Sequence, residues 1–245
     1  MQTFETRTIG DIAISSPAAA RVFEEFKIDY CCGGQMSFAE ACSDAGVEPS
    51  IVEKKLIELM EVDANSDLES VSGLTLTELT DYIIKRHHGY ARKELAHLEE
   101  LGRAVEDEHG ERHPQLSEVR RVLKLIHDDL MPHMMKEEIV LFPYIAELEA
   151  HVVQGVGRRK PHFGSVCNPI GMMSTEHQRV AGLLGKLRAA TGDYQVPSDA
   201  CLKYSSYYAG LADLERDLHQ HIHLENNLLF VKAVLLDEEA DRLSA

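Results

Sequence analysis

A chain of 245 residues, 44% hydrophobic and 27% charged, has enough apolar sequence for one large or two unequal globular domains. Its net charge of -16 opposes a phosphate backbone, and no basic cluster longer than the GRRK at 157–160 offsets it, so nucleic acid is excluded as a partner. No glycine-rich phosphate loop, no basic leader with an apolar core and no apolar run of about eighteen residues is present, which predicts a cytoplasmic, non-membrane protein without a nucleotide motif.

Residues 1–62 read as a small helical domain of three short helices. Ser16-Pro17 sets an N-cap and a first-turn proline before AAARVFEEF. Ser37 with Glu40 makes a capping box for a second helix that Gly46 ends, and a third helix follows Pro49. Between the first two lies IDYCCGG, at 28–34. Residues 63–74 are polar and without apolar period, which predicts a linker.

The remainder, 75–245, carries four long segments of helical period and no strand. Thr75 with Glu78 caps the first, over about 75–107; the others run over about 115–150, 170–191 and 198–236, with Asn168-Pro169 opening the third. Pro132, inside the second, predicts a kink just before His133. The expected fold is all-α, an up-down four-helix bundle made of two helical hairpins and preceded by the small helical domain.

HMMKEEIVLF at 133–142 and HIHLENNLLF at 221–230 share His, Glu, Leu and Phe at the same four places. Residues four apart share a helix face, so each repeat aims an imidazole and a carboxylate together. Steps of three and four along the second helix give Leu123, Ile126, Leu130, His133, Glu137, Val140 and Tyr144; along the fourth they give Leu214, Leu218, His221, Glu225 and Leu228. The third helix places His177 between Met173 and Val180 in the same way. In the first, His87 and His88 lie on competing lines, between which periodicity does not choose. The separations of 45 residues from His88 to His133 and 44 from His177 to His221 favour His88.

One histidine in an apolar seam is ordinarily a satisfied core residue, whereas a twofold set of four imidazoles and two carboxylates is costly to bury without a metal. Six ligands suit two metal ions, and imidazole with carboxylate but no thiolate points to iron or manganese rather than structural zinc, with iron favoured for redox work and dinuclear bundles. An oxo or hydroxo bridge still leaves an open position for a small molecule. His219 and His223 point away from the seam, among Glu215, Arg216, Asn226 and Asn227, and are expected on a solvated face; His109 and the other histidines are assigned no role. Cys31 and Cys32 fit a strained vicinal disulfide, thiolates at a helix end, or small buried residues in a glycine-ended turn. Cys42, Cys167 and Cys201 read as structural.

IDYCCGG at 28–34, HMMKEEIVLFP at 133–143, STEHQ at 174–178 and HIHLENNLLF at 221–230 together resemble the RIC (repair of iron centres) proteins of the ScdA/YtfE type. There a short cysteine-containing domain precedes a hemerythrin-like di-iron bundle. The resemblance covers nearly the whole chain. It implies a di-iron centre held by His88, His133, Glu137, His177, His221 and Glu225, with the two glutamates bridging. Asp129 and Glu176 match outer carboxylates of the pattern, Glu176 beside the third-helix ligand. Cys31 and Cys32 take a redox or iron-handling role by the same resemblance.

A homodimer that restores iron-sulfur proteins damaged by nitrosative and oxidative stress is implied, with nitric oxide or oxygen as its diatomic ligand. The alternatives are a nitric oxide reductase, or an oxygen or nitric oxide carrier or sensor without turnover. Oxygen-carrying hemerythrins use five histidines, one more than can be placed here, which argues against reversible oxygen transport.

Overall fold

The computed structural model describes residues 4, 7–63, 71–158 and 161–243. Most of the expected linker, at 64–70, and the last two residues of GRRK lie outside the described residues. Among the described residues there is no strand, only an isolated antiparallel bridge between Thr8 and Ser37. None of their helices is long and apolar enough to cross a membrane.

Among the described residues the N-terminal region holds four α-helices where the sequence predicts three: α1 (Ile9–Ser15), α2 (Pro17–Glu25), α3 (Phe38–Asp44) and α4 (Pro49–Asp63). The additional one, α1, is seven residues long, too short to show a period, and Thr8 caps it by accepting from the Asp11 N–H. Ser16 separates α1 from α2 in an extended conformation, and its hydroxyl accepts from the Ala18 N–H. The capping box of Ser37 and Glu40 is formed in both directions. Gly46, at φ +69, turns the chain just past α3, where a side chain is disfavoured. Ile9, Ile12, Val22, Phe23, Phe38, Val52 and Leu56 form the core of this region.

Three of the four long helices are not continuous α-helices. α5 (Leu76–Ile83) joins α6 (Gly89–His109) through a π-helical turn at Ile84–His88; α7 (Gln115–Lys136) joins α8 (Phe142–Gln154) through Glu137–Leu141; α10 (Leu202–Leu224) joins α11 (Phe230–Leu243) through Glu225–Leu229. Only α9 (Cys167–Ala190) is uninterrupted. It starts three residues before the expected position. The Ser165 hydroxyl accepts from the Cys167 N–H, and Asn168 lies in the first turn, donating from Nδ2 to the Phe163 carbonyl at 2.8 Å. Pro132 sits inside α7 without ending it, and the departure from α geometry begins at Glu137.

The chain forms two compact units, one of residues 1–81, 144–168 and 220–245, the other of 82–143 and 169–219. In the first, buried Asp237 accepts from the Tyr144 hydroxyl at 2.9 Å, the Ser165 hydroxyl at 3.0 Å, the Val166 N–H at 3.1 Å and Arg158 at 3.1 Å. Four donors on one desolvated carboxylate fix the loop before α9 onto α11. Glu149 caps α5, accepting from the Leu76 and Thr77 N–H groups. In the second unit α6 packs on α7 over Leu95, Leu98, Val119, Val122 and Ile126, all fully buried.

Candidate metal centre

All three π-turns coincide with candidate ligands. Residues 84–88 end on His88, while the other two begin on Glu137 and Glu225. A π-turn adds one residue and replaces an i→i+4 bond with an i→i+5 bond. The Phe142 N–H thus reaches the Glu137 carbonyl, and the Phe230 N–H reaches the Glu225 carbonyl. In each repeat the phenylalanine N–H therefore closes the turn that its glutamate opens. Leu141 and Phe142 are both buried, as are Leu229 and Phe230. The extra residue also moves Val140, expected in the seam, out to 36% exposure. In the first long helix the π-turn buries both His87 and His88, the pair that a regular helical period could not separate.

Within the unit of residues 82–143 and 169–219, His88, His133, Glu137 and His177 are each 2% exposed or less. Glu137 Oε2 lies 3.5 Å from His88 Nε2 and 3.4 Å from His133 Nε2, on two different helices. His177 Nε2 lies 3.1 Å from His133 Nε2, and ligand atoms of His133, Glu137 and His177 all fall within 4.8 Å of one another. Phe142 stacks on the His88 ring at 5.8 Å.

The outer nitrogens of two imidazoles decide the electrostatics. His88 Nδ1 is 2.7 Å from Glu138 Oε1, which also accepts from Arg92; His133 Nδ1 is 2.9 Å from Oε2 of Glu176, whose Oε1 accepts from Lys136. Burial opposes ionisation of Glu138 and Glu176, but the hydrogen bonds from His88 and Arg92, and from Lys136 and His133, hold both below the ordinary glutamate range. A carboxylate only accepts, so each Nδ1 carries a proton and Nε2 is the nitrogen that each ring turns toward Glu137. Imidazole nitrogens and a carboxylate oxygen converging in a dry site are costly unless a proton or a metal cation lies among them. The donor set fits a metal ion, and the outer carboxylates fix the tautomers that such an ion needs.

Glu138 was not singled out in the sequence, because its partner is 50 residues away and adjacency to Glu137 is the only local signal. Glu176 serves His133 rather than the third-helix ligand next to it in sequence. His87, the rejected neighbour, is held by Asp217 at 3.1 Å. Replacing Glu138 with Gln removes the charge that orients His88, and iron affinity is expected to fall about 10–100-fold with the fold intact, as read by chelator competition.

In the other unit, His221 Nε2 is 2.9 Å from Glu225 Oε1, and both side chains are buried. The same π-turn receives the cysteine turn. Asn226 Nδ2 donates to the Cys31 carbonyl at 3.3 Å; Asn227 Nδ2 reaches the Tyr30 carbonyl at 3.2 Å and that of Cys31 at 3.1 Å. His223, expected in solvent, is instead 4% exposed, with Nδ1 donating to the Tyr30 carbonyl and its ring edge-on to Tyr30 at 5.1 Å. Burial pushes its imidazole down to about 4, against a smaller upward effect of that bond, so it is neutral at pH 7. The helical period gave the correct face; the N-terminal region covers it.

Cys31 and Cys32 are free thiols with sulfurs 3.9 Å apart, not a vicinal disulfide, and the turn lies between α2 and α3 rather than at a helix end. Asp29 Oδ1 accepts from the Cys31 and Cys32 N–H groups and lies 3.1 Å from Cys31 Sγ. The hydrogen bond to Cys32, then burial and the Asp29 charge, push the Cys31 thiol well above its ordinary value. Cys32 is the more accessible of the two.

Two families match the chain. Residues 5–60 match the ScdA_N family, a domain of unknown function (DUF542), and residues 79–233 match the hemerythrin HHE cation binding domain. Relatives named iron-sulfur cluster repair protein YtfE, from Escherichia coli O81 (strain ED1a) and Escherichia fergusonii, are each 32% identical over 231 residues, covering 94% of this chain and 98% of the relative. The fold is therefore the expected one, all-α with a hemerythrin-like bundle after a small helical region, and its His and Glu clusters suit iron. The chain belongs to the family of YtfE-type iron-sulfur cluster repair proteins, in which an ScdA N-terminal domain precedes a hemerythrin HHE domain.

Proposed function

We propose that this protein repairs iron-sulfur clusters, the role printed in the name of its relatives, that the damage it answers is nitrosative and oxidative, and that its resident group is a pair of iron ions with an oxo or hydroxo bridge. The observation that supports the reading is Glu137 Oε2, 3.5 Å from His88 Nε2 and 3.4 Å from His133 Nε2, which would suit a carboxylate shared by two ions. His88 serves one ion; His133 and His177 serve the other. His221 and Glu225 complete the set, with Glu225 as second bridge, supported by the repeat of the same His-Glu spacing, π-turn and closing phenylalanine. When bound, the irons supply redox change and an open position for nitric oxide or oxygen.

The protein's own residues define how that centre is held. Glu138 and Glu176 keep His88 and His133 in the metal-binding tautomer. Cys31 and Cys32 act as thiols toward the damaged cluster, supported by their docking on the turn that begins at Glu225. We further infer a domain division at 1–62 and 75–245 about a linker at 63–74, supported by the family matches, and a cytoplasmic homodimer whose targets are damaged iron-sulfur proteins.

The test is recovery of an iron-sulfur dehydratase inactivated by nitric oxide. Iron-loaded protein is expected to restore activity faster than the same iron as a salt beside the iron-free protein. Equal rates would remove repair from the account. Replacing Cys31 and Cys32 with serine is expected to slow recovery without changing iron content.

A further inference from the structure

Cys201, read from sequence as structural, immediately precedes α10, and its carbonyl accepts the Ser205 N–H at 3.0 Å. His109, the last residue of α6, is 3% exposed, although the sequence gave it no role. Its Nε2 lies 3.1 Å from Cys201 Sγ, and its Nδ1 has no partner among the described residues. The ring is held by Tyr204 at 5.3 Å and His113 at 6.2 Å, with Glu108 Oε1 3.9 Å from Nε2. Cys201 as a whole is half-buried.

A buried imidazole held only for packing ordinarily has both nitrogens bonded. Here the ring is fixed with one nitrogen on a sulfur and the other unbonded, an arrangement suited to moving a thiol proton. None of these residues belongs to the proposed iron ligands.

We propose that Cys201 is a redox-modification site, a thiol that exchanges with low-molecular-weight disulfides using His109 as base. Cys201 Sγ attacks one sulfur of the disulfide as its proton passes to His109 Nε2. The reagent's S–S bond breaks, a mixed disulfide forms on Cys201, and the departing thiolate takes the proton from His109. The reagent half that leaves is reduced to a thiol, and Cys201 is oxidised to the disulfide level.

Cys167 supplies an internal control. It opens α9, is exposed, and its sulfur has no hydrogen-bond partner among the described residues. The experiment treats full-length, iron-loaded protein with oxidised glutathione at neutral pH and follows each cysteine peptide by mass spectrometry. Cys201 is expected to be thiolated at least about tenfold faster than Cys167, the scale of a positioned base. His109→Gln is expected to bring Cys201 down to the Cys167 rate while leaving Cys167 and iron content unchanged. A native Cys201 no faster than Cys167 overturns the proposal without any substitution, whether or not the variant folds. A rate that survives in folded His109→Gln overturns the role of the base.

Discussion

Glu137→Leu is expected to lose iron and, in the iron-free state, to melt at a higher temperature than the native protein. Both effects come from one geometry. Glu137 is fully buried, and its Oε2 lies 3.5 Å from His88 Nε2 and 3.4 Å from His133 Nε2. With cations present these atoms would be ligands. Without them, they are a buried polar cluster of one carboxylate and two imidazoles, and replacing a buried ionic group by a packed hydrophobe of similar volume is neutral or stabilising by about 1–4 kcal/mol. The residue also opens the π-turn through its carbonyl, which leucine retains, so the backbone needs no rearrangement. Calorimetry of iron-free native and variant protein, with metal analysis of both, checks the pair of effects. A variant that keeps its iron, or an iron-free variant that melts well below native, would contradict the reading of Glu137.

Gly34→Ala is expected to separate the thiols from the bundle without touching either. An added Cβ would fall 2.1 Å from Asn227 Oδ1 and 2.5 Å from its Cγ, far inside contact distance. Gly10 is packed nearly as closely, since a Cβ there would lie 2.8 Å from the Gly34 carbonyl. Asn227 cannot yield without giving up its bonds to the Tyr30 and Cys31 carbonyls. Such overpacking costs about 1–3 kcal/mol. The expected result is unchanged iron content, lower thermal stability and a loss of repair matching that of the cysteine-to-serine variants. Full repair in a folded, destabilised Gly34→Ala protein would show that docking of the CCGG turn is not needed.

The readings that held were those set by short-range rules. Ser16, Ser37 with Glu40, and Thr75 with Glu78 cap as their spacing predicts, because a cap involves only residues two or three apart. His133, Glu137, His177, His221 and Glu225 are buried as the seam period requires. What escaped was non-local. A π-turn needs the neighbouring helices to favour an extra residue, so His87 and His88 read as alternatives when both are inside. Glu138 and Glu176 reach imidazoles 50 and 43 residues away. His223 was misplaced because a helical period finds the face opposite the seam but not the chain segment that covers it. His109 was missed because a buried position at the last turn of a helix has too little sequence after it to show a period.

The central claim is a dinuclear iron centre built around Glu137, and metal analysis with Mössbauer spectroscopy of the freshly purified native protein tests it most directly. Two iron ions per chain, with the spectrum of an exchange-coupled pair, are predicted. One isolated iron per chain, or zinc in its place, would contradict the account.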